Sequence, residues 1–148
     1  MRQITKLAVE AFLNFEYFNM ANTRVETSEV FCDTDSRTTL GMKAELYLFD
    51  NLIAVNNTKS VSLTLAGFVT KTTMDRLNGV LSLLACNTLR LRFRAYKYSP
   101  VLDWVDPDSS LSHTVDIDSK DTLRLYHDKP THWVLFSGDV ESDSPHTI

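Results

Sequence analysis

Cysteine, glycine and proline are all scarce in this 148-residue chain, which has two, four and four of them. The two cysteines, Cys32 and Cys86, lie far apart in apolar segments and match no metal-ligand spacing. They read as two reduced, buried thiols, the usage of a reducing cytoplasm. Four glycines leave no phosphate-cradling loop of the GxxxxGK(S/T) or GxGxxG kind, and the G-x-S-x-G elbow of hydrolases is also missing. No apolar run approaches the ~18–20 residues that cross a bilayer. The longest, Val80 to Ala85, reads as core. The N-terminus MRQITKLAVEAFLNFEYF starts basic, but Glu10 and Glu16 interrupt it and no small-residue cleavage site follows. It reads as a helix of the mature protein. Four histidines, His113, His127, His132 and His146, fall in the C-terminal third without HExxH or any other ligand spacing. The chain is therefore expected to have no catalytic residues, no cofactor and no bound metal.

What is present is ordinary in amount and uneven in layout. Hydrophobic residues make up 43% and charged residues 23%, as in a globular domain, and the length suits one domain with its own core. The formal net charge of −4 conceals a division. Residues 1–102 carry 12 Lys+Arg against 9 Asp+Glu, net +3; residues 103–148 carry 3 against 10, net −7; together these return −4. A chain so divided pairs its halves internally or presents two faces of opposite sign.

Ile4, Leu7, Ala8, Ala11, Phe12, Phe15 and Phe18 recur at steps of three and four, which predicts a helix over about residues 3–18. Asn19 and Asn22 supply stop and turn chemistry. Val25 and Val30–Phe31 suggest a strand, and Asp33-Thr34-Asp35-Ser36 a loop tip. Leu40 to Phe49 alternates, with Met42, Ala44, Leu46 and Leu48 on one side. Asp50-Asn51 predicts a turn, Leu52–Val55 a strand, Asn56-Asn57 another turn, and Val61, Leu63 and Leu65 the inward face of a strand ending at Gly67. Thr72 and Asp75 form a variant capping box for a second helix carrying Leu77, Val80, Leu81 and Leu84. Gly79 within it marks a close backbone approach. The clearest strand is Leu89 to Tyr98. Residues 99–112 read as a loop with two prolines, then strands follow at about 113–117, 121–126 and 132–136, with the last ten residues frayed. Helix, meander, helix and strands give an α+β fold: one domain over 1–148, an antiparallel sheet with two helices packed on one face, and 103–148 as an acidic extension.

The segments ITKLAVEAFLN (residues 4–14), Asn22-Thr23-Arg24-Val25, Leu48-Phe49-Asp50-Asn51-Leu52-Ile53-Ala54, Leu65-Ala66-Gly67 and Thr72-Thr73-Met74-Asp75-Arg76-Leu77-Asn78-Gly79 resemble a set of small bacteriophage proteins. These share a helix, an N-T-x-V strand, an L-x-x-N-x-I-A hairpin, a Gly-ended strand and a T-T-x-x-R-L-N helix. The resemblance covers about residues 3–80, with Trp133 matching a late tryptophan. It implies an infected bacterial cytoplasm or a virion as the setting. It brings no activity, so no functional residue is carried over. The long acidic second half departs from the pattern.

The sharpest candidate surface is the strand LRLRFRAYKY. Leu89, Leu91, Phe93 and Ala95 are expected to bury, leaving Arg90, Arg92, Arg94, Tyr96 and Tyr98 on the other face. Guanidinium groups contact phosphates or carboxylates, and phenol rings stack on bases. A solvated face whose arginines are answered by neighbouring acids is the plainer reading. Trp104, flanked by the apolar Leu102 and Val105 in the proline-containing loop, either anchors a partner or plugs the end of the core. The run Asp116-Ile117-Asp118-Ser119-Lys120-Asp121 has alternating oxygen ligands but lacks the central Gly and distal Glu of a calcium loop. The acidic residues of the second half either solubilise or mimic a nucleic-acid backbone toward a basic protein. The expectation is a non-enzymatic phage accessory protein that binds a host or viral protein. A nucleic-acid binder using Arg90, Arg92 and Arg94, or a virion structural subunit, are the alternatives.

Overall fold

The computed structural model describes residues 1–32 and 35–141, with residues 31, 32 and 35–40 described in backbone alone. Among the described residues two helices and ten strands form, all strand pairs being antiparallel: an α+β fold weighted toward β. Helix α1 spans Gln3–Leu13, five residues shorter than its apolar stripe suggests. Asn14 caps it and Phe15 turns into the left-handed region at φ +56°, so that the Glu16 amide donates back to the Ala11 carbonyl at 2.8 Å. Phe15 and Phe18 continue the apolar spacing because they too pack on the core, from non-helical backbone.

Strands β1 (Phe18–Met20), β2 (Thr23–Cys32), β3 (Asp35–Leu48), β4 (Asn51–Asn57) and β5 (Ser60–Thr64) form the meander. Residues 33 and 34 of the expected loop tip lie outside the described residues; Asp35 and Ser36 already belong to β3. The β3–β4 turn is Phe49-Asp50, both left-handed (φ +50° and +65°), the mirror-type turn that suits strand twist. Asn56 and Asn57 are not a turn: they end β4. Asn56 is buried and donates to the Phe12 carbonyl at 3.2 Å, while the Asn57 side chain accepts from the Lys59 and Ser60 amides of the turn that follows.

Helix α2 spans Lys71–Leu83. Its cap is Thr70, whose hydroxyl accepts from the Thr73 amide at 3.1 Å, rather than the Thr72/Asp75 box. Arg76, only 1% exposed, ties α2 to α1 and β2. Its Nε donates to Thr23 Oγ1 at 3.1 Å, and a second nitrogen meets the Asp75 carboxylate at 3.0 Å and the Thr5 hydroxyl. Thr5 in turn donates to Asp75, so a buried cation has its counter-charge and its hydrogen bonds, the condition for burying it at all.

Next come β6 (Arg92–Tyr96), β7 (Ser99–Val105), β8 (Ser112–Asp116), β9 (Asp121–Tyr126) and β10 (Lys129–Ser137). The expected loop over 99–112 instead holds β7; Pro100 sits second in that strand and is buried. Two sheets result, one ordered β1-β2-β3-β4-β5-β9-β10 and one β6-β7-β8. The described part of the acidic second half is thus built into both sheets: β8 and the end of β7 lie in the small one, and in the main one β9 pairs with β5 on one side and β10 on the other. In register, Phe18, Val25, Leu46, Ala54, Leu63, Leu123 and Leu135 form one apolar row across all seven strands. Both helices lie on that face, with Ala8, Val9, Phe12, Leu77 and Val80 closing the core. Each Val, Leu or Phe side chain so removed from water stabilises by about 1.5–3 kcal/mol.

The opposite face carries the row Glu26, Glu45, Val55, Ser62, Arg124 and Val134. The chain after β10 folds back over it: Val140 is 3% exposed and Glu141 lies 3.5 Å from Lys43 Nζ. Of the tail expected to fray, residues 142–148 lie outside the described residues. Cys86 is buried and free, its thiol pushed up by burial, while the Cys32 side chain is not among those described. Among the described residues no helix is long and apolar enough to cross a membrane, and no group of three or more His, Cys, Asp or Glu could hold a metal ion.

Candidate functional site

The segment Leu89–Tyr98 divides into three parts instead of running as one strand. Leu89, Leu91 and Phe93 are buried as their alternation predicts, whereas Ala95 is exposed, because the strand has by then passed the end of the core. Arg90 precedes the strand in a left-handed turn at φ +55°. The Asn87 side chain builds that turn, accepting from the Leu91 amide at 2.9 Å and donating to the Leu81 and Leu91 carbonyls. Asn78 of α2 clamps β6 in the same manner, accepting from the Phe93 amide at 2.8 Å and donating to its carbonyl at 2.9 Å.

Within β6, Arg92, Arg94 and Tyr96 share the outward face. The three arginines have different surroundings. Arg94 of β6 donates diagonally to Asp103 of β7 in a two-pronged pair, 2.7 and 3.1 Å, the register partner of Asp103 being Arg92, and Thr114 of β8 donates to the same carboxylate at 2.6 Å. The Arg94 hydrogen bonds hold the Asp103 carboxyl below its usual range. Arg90 and Arg92 have no ion pair or side-chain hydrogen bond among the described residues. Both line an open groove of about 490 Å³ between α2 and the strand's approach, with Asp75, Asn78 and Ser82 opposite.

The hairpin after β6 turns through Lys97 and Tyr98, left-handed at φ +49° and +68°. Tyr98 is 99% exposed and Tyr96 is 53% exposed. The Arg94 guanidinium lies 5.8 Å and the Lys97 ammonium 5.3 Å from the Tyr96 ring centre. Trp104 is in β7, not a loop, on the inward side with Phe93 and Leu102. It stacks on His113 (5.2 Å, 22°) and meets Trp133 edge-on (5.2 Å, 61°), half-buried where the small sheet joins β10. The structure thus brings Arg92, Arg94, Tyr96 and Tyr98 to one edge, sets Arg90 with Arg92 in the groove, and places Trp104 behind them. The sequence offered Asp103 only as one acid of the second half and did not mark Thr114; a carboxylate one strand from an arginine-rich strand was the available signal.

A family model described as Kyanoviridae Gp96 protein matches residues 1–122. The chain belongs to that family. The Kyanoviridae Gp96 family is a bacteriophage protein family, so the phage setting stands. Its span runs past residue 80, where the quoted motifs stop, through α1 to β8 and into β9. The whole candidate surface and the first part of the acidic half, residues 103–122, therefore fall inside it. No curated protein and no solved structure matches this chain.

Proposed function

We propose that this Gp96-family chain is a non-enzymatic phage accessory protein that acts by binding a host or viral protein within the infected bacterium. One observation carries the reading. Tyr98 is fully exposed at a left-handed turn position, beside a half-exposed Tyr96. A two-residue hairpin of this type favours Asn-Gly, which carries no strain and exposes no ring. A tyrosine there costs backbone strain and leaves apolar surface in water, a combination that fits a contact residue. The adjoining face has mixed charge, since Asp103 neutralises Arg94, and so it suits a protein better than a phosphate backbone. The nucleic-acid reading keeps one observation of its own: Arg90 and Arg92 have no ion pair among the described residues.

Affinity capture from host lysate tests this, with the wild-type chain and Tyr96→Ala/Tyr98→Ala as baits, each with and without nuclease. A protein retained after nuclease and depleted at least about tenfold by the double variant is expected, as two interface tyrosines warrant. Capture lost to nuclease alone would replace this reading with the nucleic-acid one.

A further inference from the structure

We propose that the groove between α2 and the Asn87–Arg92 segment receives an acidic peptide segment of a partner protein. A Glu or Asp side chain meets Arg90 and Arg92, and apolar neighbours settle on a floor of Leu81, Leu84 and Leu91. The inference rests on the protein-binding reading above and names the chemistry of the partner.

The groove's polar groups are almost all committed. Asn78 is spent on the Phe93 amide and carbonyl, and Asn87 on Leu81 and Leu91. The Ser82 hydroxyl donates to the Gly79 carbonyl at 2.9 Å, and Asp75 accepts from Arg76 and Thr5. What remains on offer at the rim is the pair of exposed guanidinium groups of Arg90 and Arg92, which have no hydrogen bond or ion pair among the described residues, although Asp103 lies opposite Arg92 in register and feels its charge. Two forked donors select an anion with two acceptor oxygens, a carboxylate or a phosphate. The rest of the lining decides between them. It contains no aromatic ring on which a base could stack, and its apolar part is Leu81, Leu84 and Leu91 with the exposed Met1 beside them. A volume of about 490 Å³ admits a few side chains and not a folded surface. An acidic residue flanked by Leu, Ile or Phe satisfies both rim and floor. The Asn87 turn and the Asn78 clamp hold the walls before binding, so little ordering is required on contact.

Display of random decapeptides, selected on the full chain, on Arg90→Gln/Arg92→Gln and on Arg94→Gln, tests the inference. Fluorescence anisotropy of the enriched peptide and of a labelled fifteen-residue oligothymidylate follows. Enrichment of Asp or Glu beside large apolar residues is expected on wild type and on Arg94→Gln. Binding of that peptide should weaken at least tenfold on Arg90→Gln/Arg92→Gln and on Ser82→Trp, which fills the groove. Circular dichroism melts of each variant establish that the fold is retained. Enrichment without acidic residues, enrichment equal on the double variant, or oligothymidylate binding that depends on the two arginines while no acidic peptide binds, overturns it. If the groove fails while tyrosine-dependent protein capture persists, the protein-binding reading stands and this partner chemistry falls.

Discussion

Gly79 sits where α2 lies closest to α1. A methyl group placed there would lie 2.6 Å from Thr5 Cγ2 and 3.2 Å from Val9 Cγ2. In an open helix Gly→Ala gains about 1 kcal/mol. Here Thr5 is not free to turn aside, since its hydroxyl is bound to Arg76 and Asp75. Overpacking of about 1–3 kcal/mol then outweighs the helix gain, so urea unfolding of Gly79→Ala should show a net loss. A gain would contradict the close helix contact. Glu45 makes a second residue-scale case. Burial pushes its carboxyl above the usual range, Glu141 adds to the rise, and Lys43 opposes it; Glu26 lies directly across β2 in register. A carboxyl raised on folding contributes stability below its unfolded value near 4.5 and loses it as pH climbs through the folded value. Glu45→Gln should therefore melt higher than wild type at pH 7–8, and the advantage should vanish below about pH 4.5. An advantage that instead grows on acidification would refute the assignment.

At the scale of elements, β6 supplies a direct check of register. Leu91 and Phe93 are 3% and 2% exposed while Arg92 between them is exposed. An unpaired charge at either apolar position costs several kcal/mol, against a total stability of about 5–15 kcal/mol. Leu91→Asp and Phe93→Asp should each unfold the chain at room temperature, and Arg92→Gln, which places no second carboxylate opposite Asp103, should fold with little change in Tm. The reverse ranking in thermal melts would mean a strand displaced by one residue. Elements legible in the sequence were those with a strong local period: α2, the β3–β4 hairpin, β5 and β9. The five residues by which α1 falls short were not legible, because Phe15 and Phe18 keep helical spacing while packing from other backbone. Strand β7 was hidden for a related reason. Ser99-Pro100-Val101-Leu102-Asp103-Trp104-Val105 lacks alternation, since Pro100, Val101 and Leu102 are all buried in a row.

Over the whole molecule, a net charge of −4 repels nucleic acid at long range, and one of the three stripe arginines is already neutralised within the fold. Two remaining phosphate contacts would give a log–log salt slope of about −1.5 to −2. We expect no binding to single- or double-stranded DNA at or below micromolar concentration in physiological salt. Micromolar or tighter binding that Arg90→Gln/Arg92→Gln/Arg94→Gln abolishes would overturn the protein-binding reading. By itself the sequence determined the α+β class, the two helices, the inward faces of most strands and the outward Arg/Tyr alternation, because periods of 2 and 3.6 are local properties of the chain. It also carried the phage resemblance, in short motifs that need no folding to be seen. Only the tertiary structure decided that β9 slots between β5 and β10, that Asp103 takes the hydrogen bonds of Arg94 and not those of Arg92 opposite it, and that α2 walls a groove beside Arg90 and Arg92. Those pairings join segments that are distant along the chain, and they follow from which apolar faces must cover one another, a constraint that no spacing of residues expresses.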